Sequence, residues 1–440
     1  MKKKILQTLK DLRGYALQKD CDISLFFHEE NSYLMRFANS AISLNTSEHL
    51  VRLEITAYEG KKRASYELIT DLSKIDEMKK GIDIAAEMVR LAQPLNYQPT
   101  LPQFKESFDD DSEVDDELAG MSNQQKLGYF NSAVEGLETG EIKLSGIFSH
   151  GVNTIAQINN NSEHTQYFSS TDAQVTAVLA HEGLKWEVTA EQSAHKKAAL
   201  DPAIVRQELA FLVRCYQKET PQQLPLGRYD IVFGASAIAD MLNFMNWICY
   251  SGGLMKRGFS FMSEEKIGKK VFSDKFTLVD DPERAETFPM RRDFMGIPRK
   301  PFPFIEKGVF KAFAWSQDDA DEFGAKATGH TINHKSLVLQ GGERDTDTLE
   351  SLVNAPREND LLYIPFMHYM NIVNPSKGVI TGSSRFGALF LKKDGTVTVP
   401  YNVRLTQSLL DIFGDRVAWL SRKTIPLWDS RKSICRRSES

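Results

Sequence analysis

The chain has 440 residues, 41% hydrophobic and 10% aromatic, with a formal net charge of −5. That length accommodates two or three domains with separate cores, and the acidic balance argues against a dedicated nucleic-acid binder, which carries a basic face. Four dispersed cysteines, Cys21, Cys215, Cys249 and Cys435, form no CxxC pair, so neither a zinc knuckle nor a disulfide framework is indicated, and reduced thiols in a cytoplasmic protein are expected.

At the N-terminus, Ile5, Leu9, Leu12 and Ala16 recur at helical spacing between lysines and an aspartate. This predicts an amphipathic helix and not a signal peptide, which needs an uninterrupted apolar core. No run approaches the roughly 18 apolar residues of a membrane span. DISLFFHE, SYLMRFA, SAISLNT, HLVRLEITAYE and RASYELI then read as short antiparallel strands. Ile75, Met78, Ile82, Ala85, Val89 and Ala92 step by three and four toward Pro94, which predicts a helix.

The block FDDDSEVDDE, with seven acidic residues in ten, reads as a solvated linker. It lacks the ligand spacing and glycine of an EF-hand loop. From Ser122, a second helix carries Leu127, Phe130, Val134 and Leu137 on one stripe. EIKLSGIFS, NTIAQINN, TQYFSST, AQVTAVLA and KWEVTAEQSA form a second strand set. The rhythm of NSAISLNTSEHLVRLEIT returns in NNSEHTQYFSSTDAQVTAVLA, as if one β-α unit were used twice. Asp201-Pro202 opens a third helix with a cap and a first-turn proline.

PQQLPLG, Pro221 to Gly227, marks a boundary. The expected fold is therefore α+β, in three parts. Residues 1–100 and 101–225 hold antiparallel strands with packed helices, the second opening on the acidic linker. Residues 226–440 form a mostly β domain with one buried helix near its start.

That helix, SAIADMLNFMNWICYSGG, has Ser236 as the expected N-cap, Gly252-Gly253 as the stop and a thin polar strip at Asp240, Asn243 and Asn246. Asp240 reads as an answer to the helix dipole and Cys249 as packing. In TGHTINH, His330 and His334 stand four apart. On a helix that spacing would suit zinc. Gly329, Thr331 and Ile332 instead favour a strand or loop, in which the two Cβ atoms would be about 13 Å apart. Surface or groove-lining histidines are the expectation. His181 has no second histidine three or four residues on, and His368 lies among aromatics as a packed residue. No GxSxG elbow, P-loop or GxGxxG fingerprint occurs.

The segment GLMKRGFSFMSEEKIGKKVFSDKFTLVDDP resembles the middle of the TldD/PmbA family through Lys256, Arg257, Gly258, Ser260, Ile267, Gly268, Val271, Ser273 and the run Thr277 to Pro282. RRDFMGIPRK, FIEKGVF, KATGH and VITGSSRFGALFLKKDGTVTVP extend the resemblance in the family's order. The family has two kinds of subunit. TldD-like subunits resemble zinc peptidases, with an HExxxH helix and a C-terminal cysteine as ligands; PmbA/TldE-like subunits lack these. Aligned without gaps from Lys256, the family histidines fall on Asn243 and Ile248 and the glutamate on Phe244, while Cys435 sits in an unrelated basic tail.

The resemblance thus implies a metal-free, catalytically silent PmbA/TldE-like subunit that pairs with a TldD-like zinc subunit to hold and process unfolded peptides. No cofactor is expected in this chain, and zinc only in the partner. Arg292, His330 and His334 are candidate peptide-groove residues. An autonomous hydrolase or a homodimeric scaffold is the alternative. The family's label as a modulator of DNA gyrase finds no support for direct DNA contact in the acidic balance, and no membrane association is expected.

Overall fold

Helix α1 (Lys2–Gln18) buries Ile5, Leu9, Leu12 and Ala16, the four residues whose spacing predicts it. The computed structural model describes residues 1–218, 220–284, 286, 290–330, 336–345 and 348–427. After α1 come β1 (Asp22–Ala38), β2 (Ala41–Glu59), β3 (Lys62–Thr70) and α2 (Ile75–Leu91). Next are β4 (Phe108–Glu113), α3 (Asp116–Ala119), α4 (Asn123–Val134), β5 (Ile142–Asn159), β6 (Ser162–His181), β7 (Trp186–Ala194) and α5 (Pro202–Lys218).

The strands are longer than the sequence predicts. DISLFFHE and SYLMRFA form one strand, as do SAISLNT and HLVRLEITAYE, and β5 and β6 each merge two expected pieces. Polar residues inside them do not turn the chain, because they find partners across the sheet. Glu29 meets His49 Nε2 at 2.8 Å, and Asn153 Nδ2 donates to Asp172 at 2.8 Å.

FDDDSEVDDE is likewise not a solvated linker. Its first half is β4, parallel to β6 from Phe108↔Gln166 to Glu113↔Ser170. In its second half, Asp115 caps α3 by accepting from the amides of Glu117 and Leu118 at 2.9 and 3.0 Å. Arg291 binds both Asp110 and Glu113, the latter at 2.8 Å, and so offsets the repulsion that would keep such a block in water.

The large sheet runs β3-β2-β1-β5-β6, with β4 and β7 both on the outer side of β6. The successions α1-β1-β2-β3-α2 and α4-β5-β6-β7-α5 match, and they meet at the antiparallel β1–β5 seam. Residues 1–100 and 101–225 therefore build one sheet. Its helix-covered cores centre on Leu25, Phe27 and Ile82 at one end and on Phe130, Phe148 and Leu209 at the other. Fully burying such a side chain contributes about 1.5–3 kcal/mol.

The rest of the chain comprises β8 (Asp230–Phe233), α6 (Ala235–Ile248), α7 (Gly252–Lys256), β9 (Leu278–Asp280), β10 (Phe302–Glu306), β11 (Val309–Phe310), α8 (Gln317–Phe323) and β12 (Leu337–Leu339). Then follow α9 (Leu349–Asn354), β13 (Leu361–Ile364), β14 (Phe366–Asn374), β15 (Val379–Arg385), β16 (Leu389–Leu391), β17 (Val397–Thr398), β18 (Arg404–Ser408) and α10 (Leu409–Phe413). They make three small sheets, β11-β10-β9-β12, β17-β16-β13-β8 and β14-β15-β18. The class is α+β, as expected.

Two details around α6 differ from expectation. Its N-cap is Gly234, because the Ser236 hydroxyl is turned to Glu191. Gly252 and Gly253 do not stop it; α6 ends at Cys249, and the glycines open α7 behind the cap Ser251. Both positions are too tight for a side chain, since a Cβ would lie 2.4 Å from Trp315 and 2.1 Å from Asp319.

Gly308 is constrained more severely. Its φ is +78°, and a Cβ there would lie 2.2 Å from the Phe272 carbonyl oxygen. Its amide donates to Phe276 O at 2.9 Å, so the turn cannot back away freely. Gly308→Ala is expected to lower stability by about 2–4 kcal/mol, read as the midpoint of urea unfolding. An unchanged midpoint would show that the turn yields.

Candidate functional site

Between one face of the large sheet and the C-terminal half lies a cleft of about 2080 Å³. Side chains two apart on a strand share a face, which brings Asn153 and Ile155 of β5, Ser170 and Asp172 of β6, and Glu191 and Ser193 of β7 to its floor. Helix α6 contributes Ser236 and Asn243, α5 contributes Glu208, and β13 contributes Tyr363. Arg228, Arg404 and Arg416 also line it.

The electrostatics concentrate at the start of α6. Ser236 Oγ donates to Glu191. Burial pushes the Glu191 carboxyl up, and the Asp240 charge adds to the effect. Burial, and then the Glu191 charge, push Glu208 up to about 7. The Tyr363 phenol is likewise held up by burial and by Glu208. Asn246, 4% exposed, donates through Nδ2 to Asn243 Oδ1 at 3.4 Å, while its own Oδ1 has no partner in the protein.

The residues singled out from sequence are dispersed. Asn243 faces the cleft, Phe244 packs at the edge of the C-terminal core, and Ile248 is fully buried within it. Arg292 donates to Gly296 O at 3.3 Å and to Glu106, with its guanidinium 4.9 Å from the Phe108 ring centre. It ties the loop before β10 to the large sheet. His330 is 3% exposed, stacks on Phe302 with centroids 4.5 Å apart, and sets Nδ1 2.6 Å from Asp280. The same carboxylate accepts from Arg299 Nη2 at 2.9 Å on both oxygens. Neither Arg292 nor His330 lines the cleft. His334 and Cys435 lie outside the described residues.

Glu191 and Glu208 were not legible as a pair, because 17 positions and a change of element separate them. One signal existed. Glu208 stands three residues after Val205 and four before Leu212, inside the apolar stripe of α5.

Residues 226–431 match the family model for the PmbA/TldA metallopeptidase C-terminal domain. No curated protein matches the sequence. The fold is similar to that of TldE from Thermococcus kodakarensis, with a TM-score of 0.79 at 16% identity over 95% of each chain. It is also similar to a protein from Bacteroides thetaiotaomicron described as a candidate modulator of DNA gyrase, with a TM-score of 0.76 at 18% identity over 96% of each chain. A protein from Thermotoga maritima with the same description gives 0.71 at 15% identity over 94% of each chain. At these identities the likeness establishes the fold.

A metallopeptidase domain implies a metal ion, and the residues here do not fit one. Zinc takes imidazole, thiolate or carboxylate donors, whereas α6 presents an amide at Asn243, a ring at Phe244 and a buried alkyl group at Ile248. Among the described residues, no three His, Cys, Asp or Glu side chains converge as a metal site would require.

The Asp280–Arg299 pair is almost fully enclosed, at 0% and 1% side-chain exposure. Arg299→Met leaves the carboxylate without its cation and is expected to cost about 3–5 kcal/mol, measured by urea unfolding; a loss below 1 kcal/mol would contradict this. A second expectation concerns pH. Folded Glu208 keeps its proton up to about 7 and the unfolded chain only to 4.5, so its contribution to stability is present below 4.5 and lost as pH rises through 7. The melting temperature of wild type relative to Glu208→Gln should therefore fall between pH 5 and pH 8. A constant difference would place Glu208 at an ordinary carboxyl value.

Proposed function

Since the chain belongs to the PmbA/TldD family through its C-terminal domain, we propose that it is a non-catalytic, PmbA/TldE-like subunit that pairs with a TldD-like zinc metallopeptidase to bind and process unfolded peptides. The observation that carries this reading is the α6 face, where Asn243, Phe244 and Ile248 stand at the positions that the resemblance gives to ligands and base. A protein retaining the domain without the donors is suited to shape a chamber and hold substrate while its partner supplies the ion.

The cleft supports the peptide side of the reading. Its roughly 2080 Å³ exceeds the about 300–1,000 Å³ of small-molecule pockets and leaves room for several residues of extended chain. Main-chain groups of such a peptide can be read by hydrogen bonds with little regard to sequence. The setting we assign is the cytoplasm. Among the described residues no helix is long and apolar enough to cross a membrane.

The test is metal analysis of the purified chain, followed by digestion of an unstructured peptide with and without a co-expressed TldD-like subunit. The lone chain should hold no stoichiometric zinc and leave the peptide intact, and cleavage should appear with the partner. Zinc bound by the lone chain, or proteolysis by it, would overturn the proposal. A partner that cleaves no better in its presence would point to a homodimeric scaffold.

A further inference from the structure

The large sheet has a long stretch of edge that β3 leaves uncovered. β3 pairs with β2 only from Val51↔Thr70 to Glu59↔Lys62, whereas β1 follows β2 back to Ala38↔Ala41. Residues 41–50 of β2 thus overhang β3 by about 34 Å, at about 3.4 Å per residue. Ala41 to His49 are all exposed, with Ile42 and Leu44 at 47% and 43%. Free edges are normally blunted by lysines, other charges or prolines. β3 carries Lys62, Arg63 and Glu67, but the overhang AISLNTSEHL has no lysine, arginine or proline and one carboxylate, Glu48. Its other titratable group, His49, already meets Glu29 at 2.8 Å.

The overhang is matched in length and charge to a second copy of itself. Laid antiparallel with Ala41 opposite Leu50 of the copy, all ten residues find a partner, and Asn45 meets Thr46 at the centre. A shift one way leaves residues unpaired. A shift the other way drives the hairpin tip at Asn39-Ser40 into Thr70 of the copy, which already holds Val51. The two Glu48 carboxylates then stand about 17 Å apart, each opposite a serine, whereas a parallel arrangement would set them face to face. The slip of register with β1 at Ser43 falls outside the central residues Leu44–Ser47. Such a pairing uses the same edge on both copies and closes on itself. We infer that residues 41–50 of β2 dock a second copy of this chain, joining two large sheets through an antiparallel β2–β2 seam. None of these residues lines the cleft, so the seam is separate from the α6 face and does not rest on the peptidase pairing proposed above.

The experiment is analytical ultracentrifugation of the full chain alone from about 1 to 200 μM, the affinity range of a modest interface. A monomer–dimer equilibrium should appear, and hydrogen exchange at residues 41–50 should slow as the dimer forms. Asn45→Asp combined with Thr46→Asp sets like charges opposite one another in both central pairs and should weaken the dimer about tenfold. Asn45→Asp combined with Thr46→Lys sets opposite charges there and should stay within about threefold of wild type. Both positions are exposed, and each variant is checked for the wild-type circular dichroism spectrum. A monomer throughout the range, or a dimer that the two double substitutions affect alike, would overturn the seam. Slowed exchange at residues 41–50 that requires an added unstructured peptide would also overturn it, in favour of a substrate strand on this edge. Because no TldD-like subunit is present, missing cleavage with such a partner would count against the pairing and not against the seam.

Discussion

The seam between β1 and β5 is the constraint on which the other features depend. It runs without a break from Ser24↔Asn159 to Phe37↔Gly146, and it fixes which side chains of two otherwise separate halves share a face. A slip of one residue would exchange the faces, sending Leu25 and Phe27 toward the cleft and His28 and Glu30 into the helix-covered core. At its far end Gly146 has no room for a side chain, since a Cβ would lie 2.2 Å from Thr176 O. The end of the seam is therefore packed tightly against β6 as well.

The C-terminal half is held against this sheet by a shared core, in which Leu352, Tyr363, Leu389 and Leu391 cluster with Phe130, Phe148 and Leu209, and by charged pairs. Arg63 grips Asp318 of α8 with both nitrogens, at 2.5 and 2.9 Å. Arg291 reaches Asp110 and Glu113, and Arg292 reaches Glu106. Thr100 and Asp321 add two hydrogen bonds, at 2.8 and 3.0 Å. Each is partly solvated and individually modest. Apolar contacts register the fit: Phe26 meets Phe294 edge-on at 4.8 Å, and the absent side chain of Gly296 accommodates Phe104. Inside the C-terminal half, Asp280 plays a comparable part by gathering Arg299, His330 and the Ser336 amide on one carboxylate.

Much of the fold could be read from residue spacing. The stripes of α1, α2 and α5, the capping box at Ser122 and Gln125, and the doubled unit all have local causes. The misreadings share a cause that is not local. Glu30, Asp172 and the acids of β4 look like turn or linker residues until their partners arrive from distant parts of the chain. The candidate site was legible only in its negative half. Asn243 and Ile248 could be named from sequence, whereas Glu191 and Glu208 become neighbours only when β7 and α5 pack around the start of α6. His330 illustrates the reverse error of placing a polar residue at the surface or in a groove, since its imidazole serves Asp280 and faces the interior.

The two margins of the large sheet are unlike. On one side β4 and β7 together occupy the outer backbone of β6, while on the other β3 stands last in line with only β2 beside it. On that second side, beyond the β2 overhang, an added strand would meet β3. There Ser65 and Glu67 point outward and Arg63 is already engaged by Asp318. A second β3 laid alongside would bring like charges together and compete with the joint to α8. The β3 margin is thereby protected against runaway stacking of copies, a safeguard that would disappear in a fragment lacking α8.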